Sequence, residues 1–441
     1  MQSSEPLSLF GCTIECECGK THRIEPREVV YARDALERLP DICSRATSGR
    51  RVKVLMDVRT RSAAGTDVCA ALEAAGWVVS EVLVPDPYPG HSPVCDDVTL
   101  QALLPKCDGA DLVVPIGSGV VNDLGKWVSF EKGAPFITVP TALSMNGYAS
   151  PNVAPTIAGV KTLVRAHAPA AIAADPSVLE HAPWEMTAAG LGDILAKPVS
   201  SADWRLNQVL FGDYYCARAV NLIEEIEPLY LNHPEELRAR SPQAMKALFD
   251  GLLLTGVAMN MAETSSPSSG GEHMIGHTLD MMSSLDGAEH DLHGRQVGVG
   301  TVLAAELYRR VLEIESPDFA EPYREADKAF WGKLGPVVAE HYSEKVERLD
   351  EARGILSEGS AWDEMREALA PMMRSPQRIR DCLKHADAAW RAEDIKCDPS
   401  RLLAAFEHAH EIRARFTILD LARLVGILPT AAPDIVEAWG C

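Results

Sequence analysis

Four histidines lie close together in the second half of the chain, and their spacing suits metal binding. His273 and His277 are four residues apart, and His290 and His293 follow after a short connection. In a helix, His273 and His277 would share one face. A catalytic metal site uses about three protein ligands and one open position, and imidazole and carboxylate bind zinc, nickel or iron. One carboxylate and two of these histidines would supply that set. The spacing alone does not say which two, and a single histidine is more often a surface or core residue.

A carboxylate and an amine lie within an apolar stretch upstream of the histidines. Asp193 and Lys197 are four residues apart in the segment GLGDILAK, residues 190–197. On a helix they would share one face, where an ion pair is the default interpretation. Their apolar neighbours are unusual for a solvated pair, so Asp193 is also a candidate for chemistry.

A glycine-rich turn in the first half of the chain is suited to binding phosphate. Gly117, Ser118 and Gly119 follow an apolar run, and a helix is predicted from Val120. Backbone N–H groups at such a helix N-terminus favour negative charge. The full pattern G-x-G-x-x-G is absent because residue 122 is Asn, so an ordinary tight turn explains the segment equally well.

Two further features could contact a nucleotide. The segment PTALSMNGYASP, residues 140–151, follows a predicted strand and is rich in hydroxyl and amide groups. Ligands bind beyond the carboxyl ends of parallel strands, although an ordinary polar loop is the alternative. Asp57 ends an earlier strand and could accept a hydrogen bond from a ribose hydroxyl. Taken alone, it is more readily a helix N-cap or a turn residue.

Cysteines near the start of the chain raise the question of a second metal site. Cys16 and Cys18 precede His22, and Cys12 is nearby. The spacing Cys-x-Cys-x3-His fits no structural zinc pattern well, and no matching second pair follows closely. We therefore expect a β-hairpin carrying reduced thiols.

The elements that must position these residues fall into two groups. Alternating strands and helices in the first part predict a parallel sheet. The predicted strands cover residues 52–56, 77–84, 111–116 and 135–139, with helices at 63–75, around Leu100 and from Val120. Beyond about residue 183 the pattern is helical, with predicted helices over residues 206–226, 244–263, 295–312 and 402–425.

This change in pattern predicts two domains. Residues 1–180 form an α/β nucleotide-binding domain, and residues 181–441 form an all-helical domain that binds metal and substrate. Gly426 lies where a helix C-cap is expected. Residues 264–271 are predicted to be a flexible link, and residues 313–370 to be solvated helices without a chemical role.

Composition excludes several classes of function. The chain has 441 residues and a net charge of -21, which argues against nucleic-acid binding because phosphate contacts depend on Lys and Arg clusters. We find no apolar run long enough to span a membrane and no signal peptide at the start. The 11 cysteines are an odd number scattered along the chain, which favours reduced thiols in a cytoplasmic protein.

In combination, these segments resemble the sn-glycerol-1-phosphate dehydrogenases, most closely their bacterial, AraM-like branch. That family belongs with the iron-containing alcohol dehydrogenases, glycerol dehydrogenases and dehydroquinate synthases. The similar segments are CECGKTHRI at 16–24, GSGVVND at 117–123, PTALSMNGYASP at 140–151, GLGDILAK at 190–197 with Asp203 and Trp204, SGGEHMIGHTLD at 269–280, HGRQVGVGT at 293–301 and IRARFTILD at 412–420.

The resemblance implies a dehydroquinate synthase-like, two-domain architecture and a role for particular residues. Asp193, His273 and His293 would bind one divalent metal, with zinc favoured over nickel or iron. His277 would act beside them or handle a proton, and Asn146 would contact the substrate. The residues implied to bind NAD or NADP, with NAD favoured, are Asp57, Gly117, Ser118, Gly119, Val120, Val121, Asp123, Thr141, Ala142, Leu143, Ser144, Ser150 and Lys161.

The implied reaction interconverts dihydroxyacetone phosphate and sn-glycerol 1-phosphate in a cytoplasmic homo-oligomer, a dimer or larger. Archaeal members typically carry an acidic residue where this chain has Asn146, so the exact substrate stays open. Alternatives are a glycerol dehydrogenase acting on an unphosphorylated polyol, a cyclase of the dehydroquinate synthase type, which the 140–151 loop fits less well, and a non-enzymatic NAD-binding sensor. An intact metal-ligand set argues against the sensor.

Overall fold

The computed structural model describes residues 9–88, 90–224 and 226–441. The chain forms two compact units. The first runs to Thr187 and also includes Asn221–Glu227 and Arg240–Thr264; the second comprises Ala188–Val220, Pro228–Ala239 and Ser265–Cys441. The predicted division into residues 1–180 and 181–441 stays a prediction; the first unit as observed also takes in the long helix Pro242–Ala262.

A six-stranded parallel sheet forms the core of the first unit. Its strand order is β3-β12-β7-β6-β4-β5. The strands are β1 (Thr13–Glu15), β2 (Thr21–Arg23), β3 (Glu28–Tyr31), β4 (Arg51–Met56), β5 (Val78–Leu83), β6 (Leu112–Gly117), β7 (Ile137–Pro140), β8 (Asn152–Val153), β9 (Thr156–Ile157), β10 (Val160–Lys161), β11 (Val164–Arg165) and β12 (Ala171–Ala174). The four predicted strands are confirmed as β4 to β7. The outer strand β3 and its neighbour β12 were not predicted.

Both faces of this sheet are buried, which explains its near-continuous apolar strands. Val52, Val54 and Met56 of β4 pack into one hydrophobic cluster, whereas Leu55 packs into another. Parallel strands covered on both sides show this pattern. The remaining strands form antiparallel pairs, β1 with β2, β8 with β11 and β9 with β10. The predicted hairpin around Cys16 and Cys18 is therefore confirmed.

Helices surround the sheet and make up most of the second unit. They are α1 (Leu39–Ala46), α2 (Val58–Thr60), α3 (Thr66–Ala74), α4 (Asp97–Leu103), α5 (Gly119–Lys132), α6 (Pro176–Glu180), α7 (Trp184–Leu195), α8 (Lys197–Phe211), α9 (Ala217–Val220), α10 (Glu227–Leu231), α11 (Pro234–Arg238), α12 (Pro242–Ala262), α13 (Gly271–Asp286), α14 (His293–Leu312), α15 (Lys328–Trp331), α16 (Gly335–Ser343), α17 (Val346–Leu356), α18 (Ala361–Leu369), α19 (Pro376–His385), α20 (Pro399–His408), α21 (Ile418–Leu424) and α22 (Ala432–Trp439). A π-helical turn, Arg61–Gly65, joins α2 to α3.

Two of the four predicted long helices are wrong in extent. The helix predicted over 206–226 is replaced by α8, which ends before Gly212, a residue in the left-handed conformation at φ +66°. The helix predicted over 402–425 is interrupted, and its second part starts again at α21, where Thr417 and Asp420 form a capping box. The other two predictions are confirmed as α12 and α14. Gly426 follows the end of α21 at φ +74°, as predicted.

The segments predicted to be a flexible link and solvated helices each make buried polar contacts. In the predicted link over 264–271, the Pro267 carbonyl accepts hydrogen bonds from Lys197 Nζ at 3.3 Å and Ser200 Oγ at 3.1 Å. In the segment predicted as solvated helices, Lys345 is fully buried and forms an ion pair with Asp420 at 2.9 Å. Within the described residues, no helix is both long and apolar enough to cross a membrane.

Candidate metal and cofactor sites

Three helices of the second unit bring a carboxylate and two imidazoles together. Asp193 lies near the end of α7, His273 in the first turn of α13, and His293 at the start of α14. One ligand atom from each lies within 4.8 Å of the others, and Asp193 Oδ1 is 3.2 Å from His273 Nε2. Asp193 and His273 are buried. Two histidines and a carboxylate are the donor set of an open catalytic metal site, so these residues fit a divalent ion.

Close approach of α7 to α14 makes this convergence possible. A Cβ added at Gly192 would lie 2.1 Å from the Gly294 carbonyl oxygen, and one added at Gly294 would lie 2.0 Å from the Ala189 carbonyl oxygen. Each glycine adjoins a ligand in the sequence, Gly192 before Asp193 and Gly294 after His293. Only glycine at both positions lets the two backbones come near enough to bring Asp193 and His293 together.

Glu272 orients the His273 ring, a role that the sequence analysis missed. Its Oε1 accepts a hydrogen bond from His273 Nδ1 at 2.8 Å, which leaves Nε2 on the side of Asp193. Such a carboxylate fixes the ring and its tautomer. Burial lowers the pKa of His273, but the hydrogen bonds with Asp193 and Glu272 outweigh it and raise that pKa to about 9. The two carboxylates therefore stabilise positive charge here, as a cation site requires.

Of the four histidines, the structure groups three. The His277 ring lies 5.2 Å from that of His293, nearly parallel to it, and 6.0 Å from that of His273. His290 is exposed, and its Nδ1 lies 3.4 Å from Asp280 Oδ1. Asp193 and Lys197 lie on different helices, α7 and α8, which are divided by a break after Leu195.

A second buried carboxylate, Asp203, accepts hydrogen bonds from the first residues of α13 and α21 beside this centre. It accepts hydrogen bonds from Gly271 N at 2.7 Å, Ile418 N at 2.8 Å and Tyr308 Oη at 2.6 Å. Burial and the neighbouring Glu272 raise the pKa of Asp203 to about 7. Because Gly271 begins the helix that carries His273, Asp203 holds that helix and the start of α21 together.

Two arginines lie in the segment just before α21. Arg415 donates to the Ser269 carbonyl and to Ser265 Oγ, the latter at 3.1 Å. Half-buried Arg413 has no hydrogen-bond or ion-pair partner within residues 9–88, 90–224 and 226–441. Burial and repulsion from Arg415 lower the pKa of Arg413 to about 10, so it stays cationic at neutral pH. Its positive charge is available to an anion.

In the first unit, the glycine-rich turn joins β6 directly to the N-terminus of α5. A Cβ at Gly117 would lie 2.6 Å from the Val121 Cβ, so the tight turn requires glycine. Ser118 is the N-cap residue, and Gly119 and Val120 begin the helix. The turn therefore presents backbone N–H groups at the carboxyl end of a central strand, the geometry that binds phosphate.

The polar loop after β7 lies beside this turn. Thr141 N donates to the Gly117 carbonyl at 3.3 Å. Ala142, Leu143 and Ser150 are buried, and Ser144 and Asn146 are half-buried. Asn146 is also close to α12, because a Cβ at Gly256 would lie 2.8 Å from its carbonyl oxygen.

Buried Lys126 holds the end of this loop, which the sequence analysis did not foresee. Its Nζ donates to the Asn152 carbonyl at 2.7 Å, the Gly147 carbonyl at 3.0 Å and Asp123 Oδ1 at 3.2 Å. Asp123 also accepts from Ala154 N, so its carboxylate has a structural task. Lys161 lies half-buried in β10. The sequence feature that could have indicated this role is the position of Lys126 among apolar residues of a predicted helix.

Asp57 caps a helix, which is the structural one of its two predicted roles. Its Oδ1 accepts from Arg59 N at 2.8 Å and Thr60 N at 2.7 Å, and its Oδ2 pairs with Arg59 Nε at 3.0 Å. Arg59 in turn pairs with Asp86. The predicted contact with a ribose is compatible with this position at the end of β4 and stays a prediction.

Known proteins resemble this chain along most of its length. The sequence model of the iron-containing alcohol dehydrogenases matches residues 30–183. The glycerol-1-phosphate dehydrogenase [NAD(P)+] of Geobacillus stearothermophilus is 31% identical over 92% of this chain and 94% of its own length. This chain belongs to the glycerol-1-phosphate dehydrogenase family. Another member, from Thermococcus kodakarensis, is 32% identical over 89% of this chain and 92% of its own.

The fold is shared more widely than this family. Glycerol dehydrogenase from Schizosaccharomyces pombe superposes with a TM-score of 0.61 at 16% identity, covering 96% of this chain and 93% of that one. At that identity the likeness concerns the fold alone. It confirms the predicted two-domain class, an α/β part with a parallel sheet and a helical part.

Proposed function

We propose that this protein is a metal-dependent, NAD(P)-linked oxidoreductase that interconverts dihydroxyacetone phosphate and sn-glycerol 1-phosphate. The observation that carries the proposal is the buried Asp193–His273–His293 set in a chain that aligns along nearly its whole length with glycerol-1-phosphate dehydrogenases. The metal is zinc in preference to nickel or iron, and the dinucleotide is NAD in preference to NADP.

The residues of the second unit would have separate roles around the metal. When bound, the divalent ion supplies a Lewis acid for the ketone oxygen and the nicotinamide supplies the hydride. Asp193, His273 and His293 hold the ion, and Glu272 fixes the His273 ring through its 2.8 Å hydrogen bond. His277, stacked at 5.2 Å on His293, is suited to deliver a proton to the product oxygen and to remove it in the reverse direction.

The residues of the first unit would hold the dinucleotide. The backbone N–H groups of residues 117–121 bind the pyrophosphate at the start of α5. The residues that would line the nicotinamide side are Thr141, Ala142, Leu143, Ser144, Ser150 and Lys161. Asp123 would contribute indirectly, by accepting a hydrogen bond from Ala154 N and so holding the nearby loop. Asp57 contacts the adenosine ribose, and Asn146 contacts the substrate.

Arg413 favours a phosphorylated substrate over glycerol. The segment containing Arg413 and Arg415 is tied to the start of α13 through Asp203, which binds both Gly271 N and Ile418 N. A phosphate would relieve the repulsion between the two arginines and accept charge-assisted hydrogen bonds from Arg413. An unphosphorylated polyol offers no such anion, so glycerol dehydrogenase chemistry is the second candidate.

The test is the oxidation of NADH with dihydroxyacetone phosphate, compared with dihydroxyacetone, before and after metal removal by a chelator. We expect turnover with the phosphorylated ketone, loss on chelation and recovery with added zinc. Preference for dihydroxyacetone would favour glycerol dehydrogenase chemistry. NADH binding without turnover of either ketone would favour the sensor.

We also propose a cytoplasmic homo-oligomer.

A further inference from the structure

The β1–β2 hairpin assembles a second cluster of metal-binding side chains, separate from the Asp193 centre. The Sγ atoms of Cys16 and Cys18 and a ring nitrogen of His22 lie within 4.8 Å of one another. Cys18 Sγ is 3.1 Å from His22 Nε2. His22 is 3% exposed, so the imidazole is held inside the protein rather than in solvent.

The pairing register of the hairpin explains how these residues meet. Ile14 pairs with His22 across the two strands, so both point to the same face. Cys16 lies two residues beyond Ile14 and therefore shares that face. The turn is closed by hydrogen bonds from Cys16 N to the Lys20 carbonyl at 3.1 Å and from Gly19 N to the Cys16 carbonyl at 3.0 Å. Cys18 lies within this turn and folds back over the histidine.

The turn also explains how two cysteines with so short a spacing both reach the histidine. Zinc turns usually separate their cysteines by two or more residues, and this chain has only one residue between them. Gly19 adopts φ +84°, a conformation that glycine takes without strain. This glycine lets a shorter loop return Cys18 to His22, so an unusual spacing still produces a compact donor group.

We propose that Cys16, Cys18 and His22 bind a thiophilic divalent metal, of which zinc is the natural example. Two thiolates and an imidazole suit zinc, whereas magnesium and calcium prefer oxygen. Tetrahedral ligand atoms bound at about 2.3 Å lie about 3.8 Å apart, so the observed spacing needs only small movements. Each thiol gives up its proton on binding. The ion crosslinks a hairpin whose strands have three residues each, too short to be stable alone.

The experiment is zinc X-ray absorption spectroscopy with elemental analysis on the purified full-length enzyme. The Asp193 centre contains no sulfur, so a sulfur shell at about 2.3 Å reports only on cysteine ligands. We expect about two zinc ions per chain and at least two sulfur neighbours on one of them. The His273→Ala variant should lose about one ion and keep the sulfur shell, which separates this site from the proposed function.

Substitution of the hairpin provides the second arm. The double variant Cys16→Ser with Cys18→Ser should lose the sulfur shell and about one zinc ion, whereas Cys441→Ser, at an exposed cysteine, should retain both. If the double variant does not fold, cobalt replaces zinc in the wild-type enzyme, and thiolate-to-cobalt charge-transfer absorption is the expected result. Wild-type enzyme with a filled Asp193 centre and no sulfur-bound metal, or a double variant that keeps its sulfur shell, would overturn the proposal.

Discussion

At the proposed metal centre, His273 is positioned by two neighbouring carboxylates. Glu272 accepts from His273 Nδ1, and Asp203 holds the backbone of Gly271, two residues before that histidine. The resemblance to a known family supplied the three ligands Asp193, His273 and His293, and the structure brings them together. It did not give the contacts of Glu272 or Asp203, although both lie in the similar segments. The sequence does not say which ring or N–H group an acidic side chain meets after folding.

Removing the orienting carboxylate should weaken metal binding. Glu272→Gln keeps the shape but loses the charge, so we expect metal affinity to fall by about 10- to 100-fold. His273→Ala should abolish metal binding at this centre, while His290→Ala, at an exposed histidine, should bind normally. Competition with a chromogenic chelator measures all three affinities. Equal affinities for Glu272→Gln and wild type would remove Glu272 from this role.

Arg413 should matter only when the substrate carries phosphate. A hydrogen bond to a charged group contributes about 1.5–3 kcal/mol, so Arg413→Ala should lower kcat/KM for dihydroxyacetone phosphate by about 10- to 100-fold. The value for dihydroxyacetone should not change. Arg366→Ala, whose guanidinium pairs with Asp363, is the matched control. A loss of the same size with both ketones would place Arg413 away from the phosphate.

At the scale of elements, helix contacts and helix caps set the geometry. The strands β4 to β7 and the helices α12 and α14 followed from apolar periodicity, since burial dictates that pattern directly. The helix ends between residues 197 and 242 did not, because left-handed Gly212 ends α8 and apolar periodicity does not register such a residue. β3 and β12 were missed because their short segments contrast little with their surroundings.

The glycine contact between α7 and α14 can be tested directly. A Cβ in Gly294→Ala meets the backbone of Ala189 at 2.0 Å, so the helices must separate. We expect a loss of about 1–3 kcal/mol in the free energy of unfolding, together with weaker metal binding. Gly354→Ala, in α17, meets nothing within 4 Å and should gain about 0.5–1 kcal/mol. Denaturant titration and metal analysis would check both, and unchanged metal affinity in Gly294→Ala would contradict the argument.

Asp57 combines a structural role with a proposed cofactor contact, and the two can be separated. Asp57→Ala should cost about 0.5–2 kcal/mol through loss of the cap and should shift cofactor preference towards NADPH, because a carboxylate there would repel a 2′-phosphate. Asp96→Ala removes the N-cap of α4 and should destabilise to a similar degree without any shift. If the NADPH-to-NADH ratio of kcat/KM is the same in both variants, Asp57 acts only as a cap.

For the molecule as a whole, the glycine-rich turn proposed to bind phosphate lies in the first unit, and the proposed metal ligands lie in the second. Sequence reasoning predicted two domains but not that α12 packs within the first unit, since the pattern of a helix does not reveal its partner. The net charge of -21 does not reveal that two cationic side chains, Arg413 and Arg415, lie close together in the sequence. Oligomeric state stays a prediction.

The stereochemistry of the product tests the central claim most directly. With dihydroxyacetone phosphate and NADH, the metal-loaded enzyme should form sn-glycerol 1-phosphate, identified by chiral analysis of the isolated product. The His273→Ala variant, purified identically, should form none, which excludes a contaminating dehydrogenase. Formation of sn-glycerol 3-phosphate by the wild-type enzyme, or no product from the phosphorylated ketone, would contradict the assignment.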